Sequence, residues 1–226
     1  MYNKRLYVFD GQRPRAAHIR NYSEADFPAL IQVQRECFPP PFPSELWWKE
    51  QQLRHHITIF PEGALCVEVE GEIAGSMTTC IVQFDPAHPA HTWAEMTDNG
   101  YIRTHQPDGD TLYVVDISVR PRYRKLGLGK WLMLSMYDLV IHRNLKRLLG
   151  GGRMPGYHRH ATNMSAEEYL AAVLRGDLQD PVLTFLLRCG RLPVAVVPDY
   201  LEDAESCNYA VLMEWRNPFQ TPDREE

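Results

Sequence analysis

The chain has 226 residues and is 44% hydrophobic, enough for one sizeable core or one domain carrying insertions. Its net charge of −5 argues against a broadly basic surface for nucleic acid. The five cysteines (Cys37, Cys66, Cys80, Cys189 and Cys207) are odd in number and far apart, which suggests neither a disulfide framework nor a CxxC metal site; with no signal-peptide run and no apolar stretch near the ~20 residues of a membrane span, a cytoplasmic protein with reduced thiols and no membrane partner is expected.

Residues 1–15 read as a polar N-terminal extension and Ala17 to Asn21 as a short strand. Ser23-x-x-Asp26 marks a helix start, with apolar spacing at Phe27, Leu30, Ile31, Val33 and Cys37. The run PPPFP ends that helix, because proline lacks an amide donor and restricts the residue before it. Ser44 can cap a second helix through Trp47, Trp48 and Leu53, which ends at His55 and His56, read as cations favourable to the helix dipole. Phe38, Phe42, Trp47 and Trp48 read as core anchors, with a wall of an acceptor site as the lesser alternative. Two strands follow, Ala64 to Val69 and Ile73 to Phe84, turning at Glu70-Gly71-Glu72. A polar insertion, residues 85–110, carries a capping box at Thr92-x-x-Glu95. TLYVVDISV is a β-branched strand, and a mostly buried helix runs from Gly129 to about Arg143. LKRLLGGGR reads as a strand. The second insertion, residues 154–180, holds another capping box, Ser165-x-x-Glu168, and its helix stops at Gly176. A helix over Pro181 to Cys189 and strands over Leu192 to Val197 and Tyr209 to Trp215 close the chain. This alternation predicts an α/β fold with a mixed sheet. The last strand could pair within the sheet or across a homodimer.

The stretch VRPRYRKLGLGKWLM, Val119 to Met133, joins the β-branched strand to the buried helix. Amides at a helix N-terminus lack intrahelical partners and carry the positive end of the dipole. Gly127 and Gly129 allow a phosphate close to the backbone, and Arg124, Lys125 and Lys130 add charge, so the stretch reads as a pyrophosphate cradle. A dinucleotide fingerprint would need glycine at Leu132, and a P-loop would need glycine at Arg124 and Ser or Thr at Trp131. An ordinary basic turn accounts for neither both glycines nor the charges.

Arg124-Lys125-Leu126-Gly127-Leu128-Gly129, after Val119-Arg120-Pro121, resembles the acetyl-CoA motif of the GNAT superfamily of N-acetyltransferases, and the order of elements over residues 17–215 resembles that fold. The resemblance implies a GNAT-like mixed, mostly antiparallel central sheet flanked by helices, over residues 16–218, with 219–226 as a tail. It implies acetyl-CoA as co-substrate and an amine acceptor, joined by direct transfer in a ternary complex. It places the pyrophosphate on the amides from Lys125 to Lys130, including Leu126 and Leu128, and the pantetheine and thioester along Ile117, Ser118 and Val119. Asp116 is the candidate base, since an apolar strand would raise its pKa and a lysine-like acceptor with a pKa of about 10.4 must lose a proton. The alternative is a carboxylate that bonds backbone amides at a strand irregularity. The tyrosine that protonates the departing thiolate in many members is replaced here by Leu186, leaving Tyr157, Tyr200 or water, or a catalytically weak domain.

HTWAEMTDNGYIRTHQPDGDTLY, GGRMPGYHRHATNMSAEEYL, DPVLTFLLRCG and ESCNYAVLMEWRNP resemble the acetyltransferase half of proteins that continue into a carbon–nitrogen hydrolase domain. The chain ends eight residues after Pro218, so no hydrolase chemistry is carried over. It is expected to act alone, with a separately encoded hydrolase partner, or as a fragment. The rival function is an acetyl-CoA-binding module that regulates or assembles with such a hydrolase. The insertions are expected to select the acceptor, with Glu95 binding an amine and Trp93, Arg153 and His158 lining its site. No metal is expected: His88, His91, His105, His158 and His160 lack helical i, i+4 spacing and a nearby cysteine.

Overall fold

The computed structural model describes residues 1–220; residues 221–226 of the expected tail lie outside them. Strands β1 (Asn3–Asp10), β2 (Arg13–Asn21), β3 (Ala64–Val69), β4 (Glu72–Val82), β5 (Thr111–Val119), β6 (Arg147–Arg153), β7 (Leu192–Val197) and β8 (Ala210–Arg216) form one sheet. Their order is β1-β2-β3-β4-β5-β6-β8-β7, and every pair is antiparallel except β5 with β6. The helices are α1 (Phe27–Cys37), α2 (Glu50–Ile59), α3 (Trp93–Thr97), α4 (Leu128–His142), α5 (Ala166–Arg175) and α6 (Pro181–Arg188). The expected mixed, mostly antiparallel sheet flanked by helices is the fold. The closing strand β8 pairs within the sheet, between β6 and β7.

Two neighbouring threonines show how the helices are divided. Thr78 meets the Tyr22 hydroxyl at 3.1 Å, and Tyr22 in turn bonds His56 of α2 at 2.8 Å. Thr79 points the other way, to the Met136 sulfur of α4 at 3.8 Å. Adjacent strand residues face opposite sides, so α2 and α4 cover opposite faces of the sheet. α4 is apolar nearly all round, in keeping with its burial.

Three local readings change. Residues 1–15 are an ordered hairpin: β1 pairs with β2 along its whole length, with Lys4, Leu6 and Val8 inward and Arg5, Tyr7 and Phe9 outward. The period-2 alternation of Leu6 and Val8 was present, masked by Lys4 on the inner face and by Tyr7 and Phe9 on the outer one. Ser44 opens only a short 3-10 turn, Ser44–Leu46, and α2 begins after Lys49. His56 is not a cation on the dipole. It is fully buried, burial pushes its pKa down to about 4, and its Nε2 bonds the Gly100 carbonyl at 2.6 Å, tying α2 to the first insertion.

The sheet opens in its middle. β5 and β6 pair only through Thr111–Tyr113 and Arg147–Leu149 and then part. A register shift falls on the other side of β5 at the same level: Thr78 pairs with Asp116 and Thr79 with Val114, leaving Val115 as a bulge. The glycines of β6 serve close packing here. A Cβ at Gly150 would stand 2.8 Å from Val114, and one at Gly152 would stand 2.7 Å from Leu186.

Candidate active site

The chain leaves β5 at Val119, makes a short turn over Pro121–Tyr123 and enters α4 through Lys125 (φ +70°) and Gly127 (φ +77°). The left-handed backbone at Gly127 suits glycine, and a Cβ there would meet nothing within 4 Å. Among the described residues, no backbone N–H from Lys125 to Lys130 has an acceptor in the protein. The result is a row of convergent donors at the positive end of a fifteen-residue helix, flanked by the exposed Lys125 and Lys130. The side chain of Leu128 is in the core and Leu126 is half-buried, so their amides are the available groups. Phe185 of α6 packs on Gly129, where a Cβ would stand 3.0 Å from its ring. The turn fits a pyrophosphate. Arg124 departs from the expected set: its Nε donates to the Val119 carbonyl at 3.3 Å and its side chain approaches Cys37.

Beyond Tyr113 the edge of β5 facing β6, Ile117 to Val119 included, has no strand partner. Two side chains from distant loops occupy the top of the gap. The Trp93 indole donates to the Val115 carbonyl at 3.0 Å, and the Gly151 amide donates to the Tyr200 hydroxyl at 3.2 Å. The Trp93 amide donates to the Tyr200 carbonyl at 2.9 Å, joining the two loops. Trp93 and Tyr200, drawn from the sequence for different tasks, thus meet at one place.

Asp116 lies where the bulge re-aims β5. The Ser118 hydroxyl donates to both of its oxygens, at 2.8 and 3.1 Å, and Gln34 of α1 donates to the Ser118 oxygen at 3.3 Å. Burial pushes the carboxyl up to about 6, against the bonds from Ser118 and Gln34. It is therefore poised to accept a proton near neutral pH. Beside it, a cleft of about 270 Å³ is lined by Glu36, Cys37, Phe38, Phe42, Arg124 and Arg153, among others. Cys37 links the two: it feels both Asp116 and Arg124, and burial pushes its thiol up to about 12. The Phe38 and Phe42 rings stand 4.8 Å apart, and the Arg153 guanidinium lies over both, 5.6 and 5.0 Å from their centres.

Arg153 lines this cleft, held by Asp203 through two 2.7 Å bonds and by Glu205 at 3.1 Å. The other expected acceptor residues are engaged elsewhere. Glu95 completes the α3 capping box, accepting from the Thr92 amide at 2.8 Å and hydroxyl at 2.9 Å. His158 is exposed, its Nδ1 bonding the Pro155 and Glu205 carbonyls. Tyr157 is buried against Tyr169 and Tyr209 and donates to the Met164 carbonyl at 3.1 Å. Tyr200 is buried at the gap, 2.7 Å from the Tyr113 hydroxyl, and burial pushes its pKa up to about 12. Leu186 is buried against Gly152. Sequence reasoning ranked Phe38 and Phe42 as core first and as an acceptor wall second, and gave Cys37 no role at a site. Their signal was the PPPFP run itself, which stops α1 and leaves its last turn facing Asp116 and Arg124.

The family model described as Acetyltransferase (GNAT) family matches residues 27–153. The chain is 60% identical to the "Uncharacterized N-acetyltransferase YkwB" of Bacillus subtilis (strain 168), over 96% of each protein. It is 42% identical to the "Probable hydrolase YhcX" of the same organism, over 90% of this chain and 39% of that protein. Among solved structures it is similar to the GphF GNAT-like decarboxylase in complex with isobutyryl-CoA, at 25% identity and a TM-score of 0.75, over 88% of this chain and 98% of that one.

Proposed function

The chain belongs to the acetyltransferase (GNAT) family, and from that membership we propose that it transfers an acetyl group from acetyl-CoA directly to a small amine or an exposed amino group. The observation that carries the reading is the row of unpaired amides from Lys125 to Lys130, set at the end of the parted strand β5. These amides, with Lys125 and Lys130, hold the pyrophosphate. The free edge from Ile117 to Val119 orients the pantetheine arm. Acetyl-CoA supplies an acyl group already activated on a thiol. Asp116 takes a proton from the acceptor ammonium, directly or through water, and frees the amine to attack. The new C–N bond replaces the C–S bond, the nitrogen sheds a second proton, and the departing sulfur gains one. The Phe38–Phe42 cleft, with Arg153 and Arg124, receives the acceptor.

The test is calorimetric titration with acetyl-CoA of the wild type and of a variant carrying Gly127→Val and Gly129→Val. Wild-type binding at or below ~100 µM, lost in the variant, is expected; a folded wild type that does not bind ends the reading. A thiol-release assay with a panel of amines then identifies the acceptor.

A second reading is decarboxylation of a 2-carboxyacyl thioester, in which the carboxylate leaves as CO2 and the resulting enolate takes up a proton. The 25% identity to a GNAT-like decarboxylase and the apolar Leu186 favour it. Release of CO2 from malonyl-CoA, with no acceptor added, distinguishes it. The hydrolase partner draws its support from the 42% identity to a probable hydrolase of which this chain spans 39%. Co-elution with a carbon–nitrogen hydrolase, altering the activity of either protein, is the measurement that bears on it.

A further inference from the structure

We infer that Tyr200, Tyr113 and His91 form a proton relay that opens into the gap between β5 and β6 and serves the departing thiol. The inference rests on the acyl-transfer reading above. The Gly151 amide donates to the Tyr200 hydroxyl at 3.2 Å, the Tyr200 and Tyr113 hydroxyls are 2.7 Å apart, and the Tyr113 hydroxyl is 2.8 Å from His91 Nε2. The two tyrosines are buried and His91 is half-buried, so the chain runs from the gap toward the surface. Nothing in acyl transfer through Asp116 uses these groups. Yet the leaving sulfur needs a proton, Leu186 has none to give, and the Tyr157 hydroxyl is turned to Met164.

The chain has two complete orientations. The Pro89 carbonyl faces the His91 ring and favours a proton on its other nitrogen. With His91 neutral, Nε2 then accepts from Tyr113, Tyr113 accepts from Tyr200, and the Tyr200 oxygen accepts from Gly151. With His91 protonated, the hydroxyls reverse: Nε2–H donates to Tyr113 and Tyr113 to Tyr200. The Tyr200 oxygen then accepts twice and its own proton is released toward the gap. As the C–S bond breaks, that proton passes to sulfur. Tyr200 recovers one from Tyr113, Tyr113 from His91, and His91 from solvent. Burial, with Phe84 packed edge-on to the ring, pushes the His91 pKa below its ordinary value, and the Pro89 carbonyl and Glu95 of α3 oppose that shift. Behind the tyrosines lies the buried Arg191, which donates to the Gly150 and Met213 carbonyls, with Cys80 of β4 as the other titratable neighbour. The cation favours a transient negative charge on either tyrosine.

The variants are Tyr200→Phe, Tyr113→Phe and His91→Gln. The assay is release of CoA thiol from saturating acetyl-CoA between pH 5.5 and 9.5, with water or the best amine as acceptor, alongside calorimetric binding of acetyl-CoA. Wild-type kcat is expected to fall as His91 loses its proton, which burial moves below the ordinary imidazole value of about 6.5. Tyr200→Phe is expected to lower kcat by at least ~30-fold, and His91→Gln to abolish that limb of the pH profile, with acetyl-CoA binding within threefold in each. Should Tyr200→Phe not fold because Gly151 loses its acceptor, Tyr113→Phe cuts the chain with Tyr200 in place. Wild-type kcat in the folded tyrosine variants, or an unchanged profile in His91→Gln, overturns the relay. So does a wild type that binds acetyl-CoA and releases no thiol at any pH. A wild type that does not bind acetyl-CoA brings down the transfer reading itself.

Discussion

As the proposed base, Asp116 would tie activity and stability to the same proton. That role requires it ionised, so kcat/KM should rise with pH through about 6, where burial holds its carboxyl. Asp116→Asn should remove that limb and lower kcat roughly 100-fold or more; a wild-type profile in the variant would falsify the assignment. Stability runs the other way. The unfolded chain releases this proton near the ordinary aspartate value of about 3.9, while the folded chain keeps it to about 6. Between those values the folded state holds more protons, so stability falls as pH rises and stays lower above pH 6. Asp116→Asn is therefore expected to gain roughly 1–3 kcal/mol at pH 7.5 and little at pH 4, read from denaturant melts at both. Glu95 is a contrasting carboxylate. Its oxygen is committed to the Thr92 amide and hydroxyl, so Glu95→Ala should cost about 0.5–1.5 kcal/mol and leave the acceptor KM unchanged. A raised KM would return Glu95 to the acceptor site.

At the scale of elements, the anion turn was the most legible part of the site. Its glycines, basic residues and position between a β-branched strand and a buried helix all lie within one stretch, Val119 to Met133. Capping boxes were legible for the same reason: Thr92 with Glu95 and Ser165 with Glu168 depend on residues three apart, and both form. The gap between β5 and β6 was not. It depends on where pairing stops, on a bulge at Val115 and on Tyr200, which meets Tyr113 from 87 residues away. The proposed acceptor cleft was half legible, since PPPFP announced the end of α1 but not the residues it would face. Gly150 offers a test of the gap's packing. Gly150→Ala sets a methyl against Val114 and should cost about 1–3 kcal/mol, read by thermal denaturation, with acetyl-CoA binding weakened in step.

The whole molecule is built outward from that gap. The N-terminal hairpin lies at one end of the sheet, where Val8 is buried and Lys4 sits 4.8 Å from the Trp131 ring. Deleting residues 1–10 is expected to lower the melting temperature by several degrees while acetyl-CoA binding changes less than threefold. Loss of binding would mean that the hairpin shapes the start of α4 more than its distance along the sheet suggests. The hairpin escaped the sequence reading because Lys4 faces inward and the aromatic Tyr7 and Phe9 outward, although Leu6 and Val8 alternate as a strand should.

Among the described residues, the strand pairing between the five strands on one side of the sheet and the three on the other is confined to Thr111–Tyr113 with Arg147–Leu149. That short row is the mechanical seam of the molecule, and the proposed place of the pantetheine arm is its open continuation. A bound coenzyme would then act as a rivet, fastening two half-sheets whose own ladder is three residues long. Stiffness and occupancy become one quantity, and amide hydrogen exchange in β5 and β6 should slow together when acetyl-CoA fills the seam.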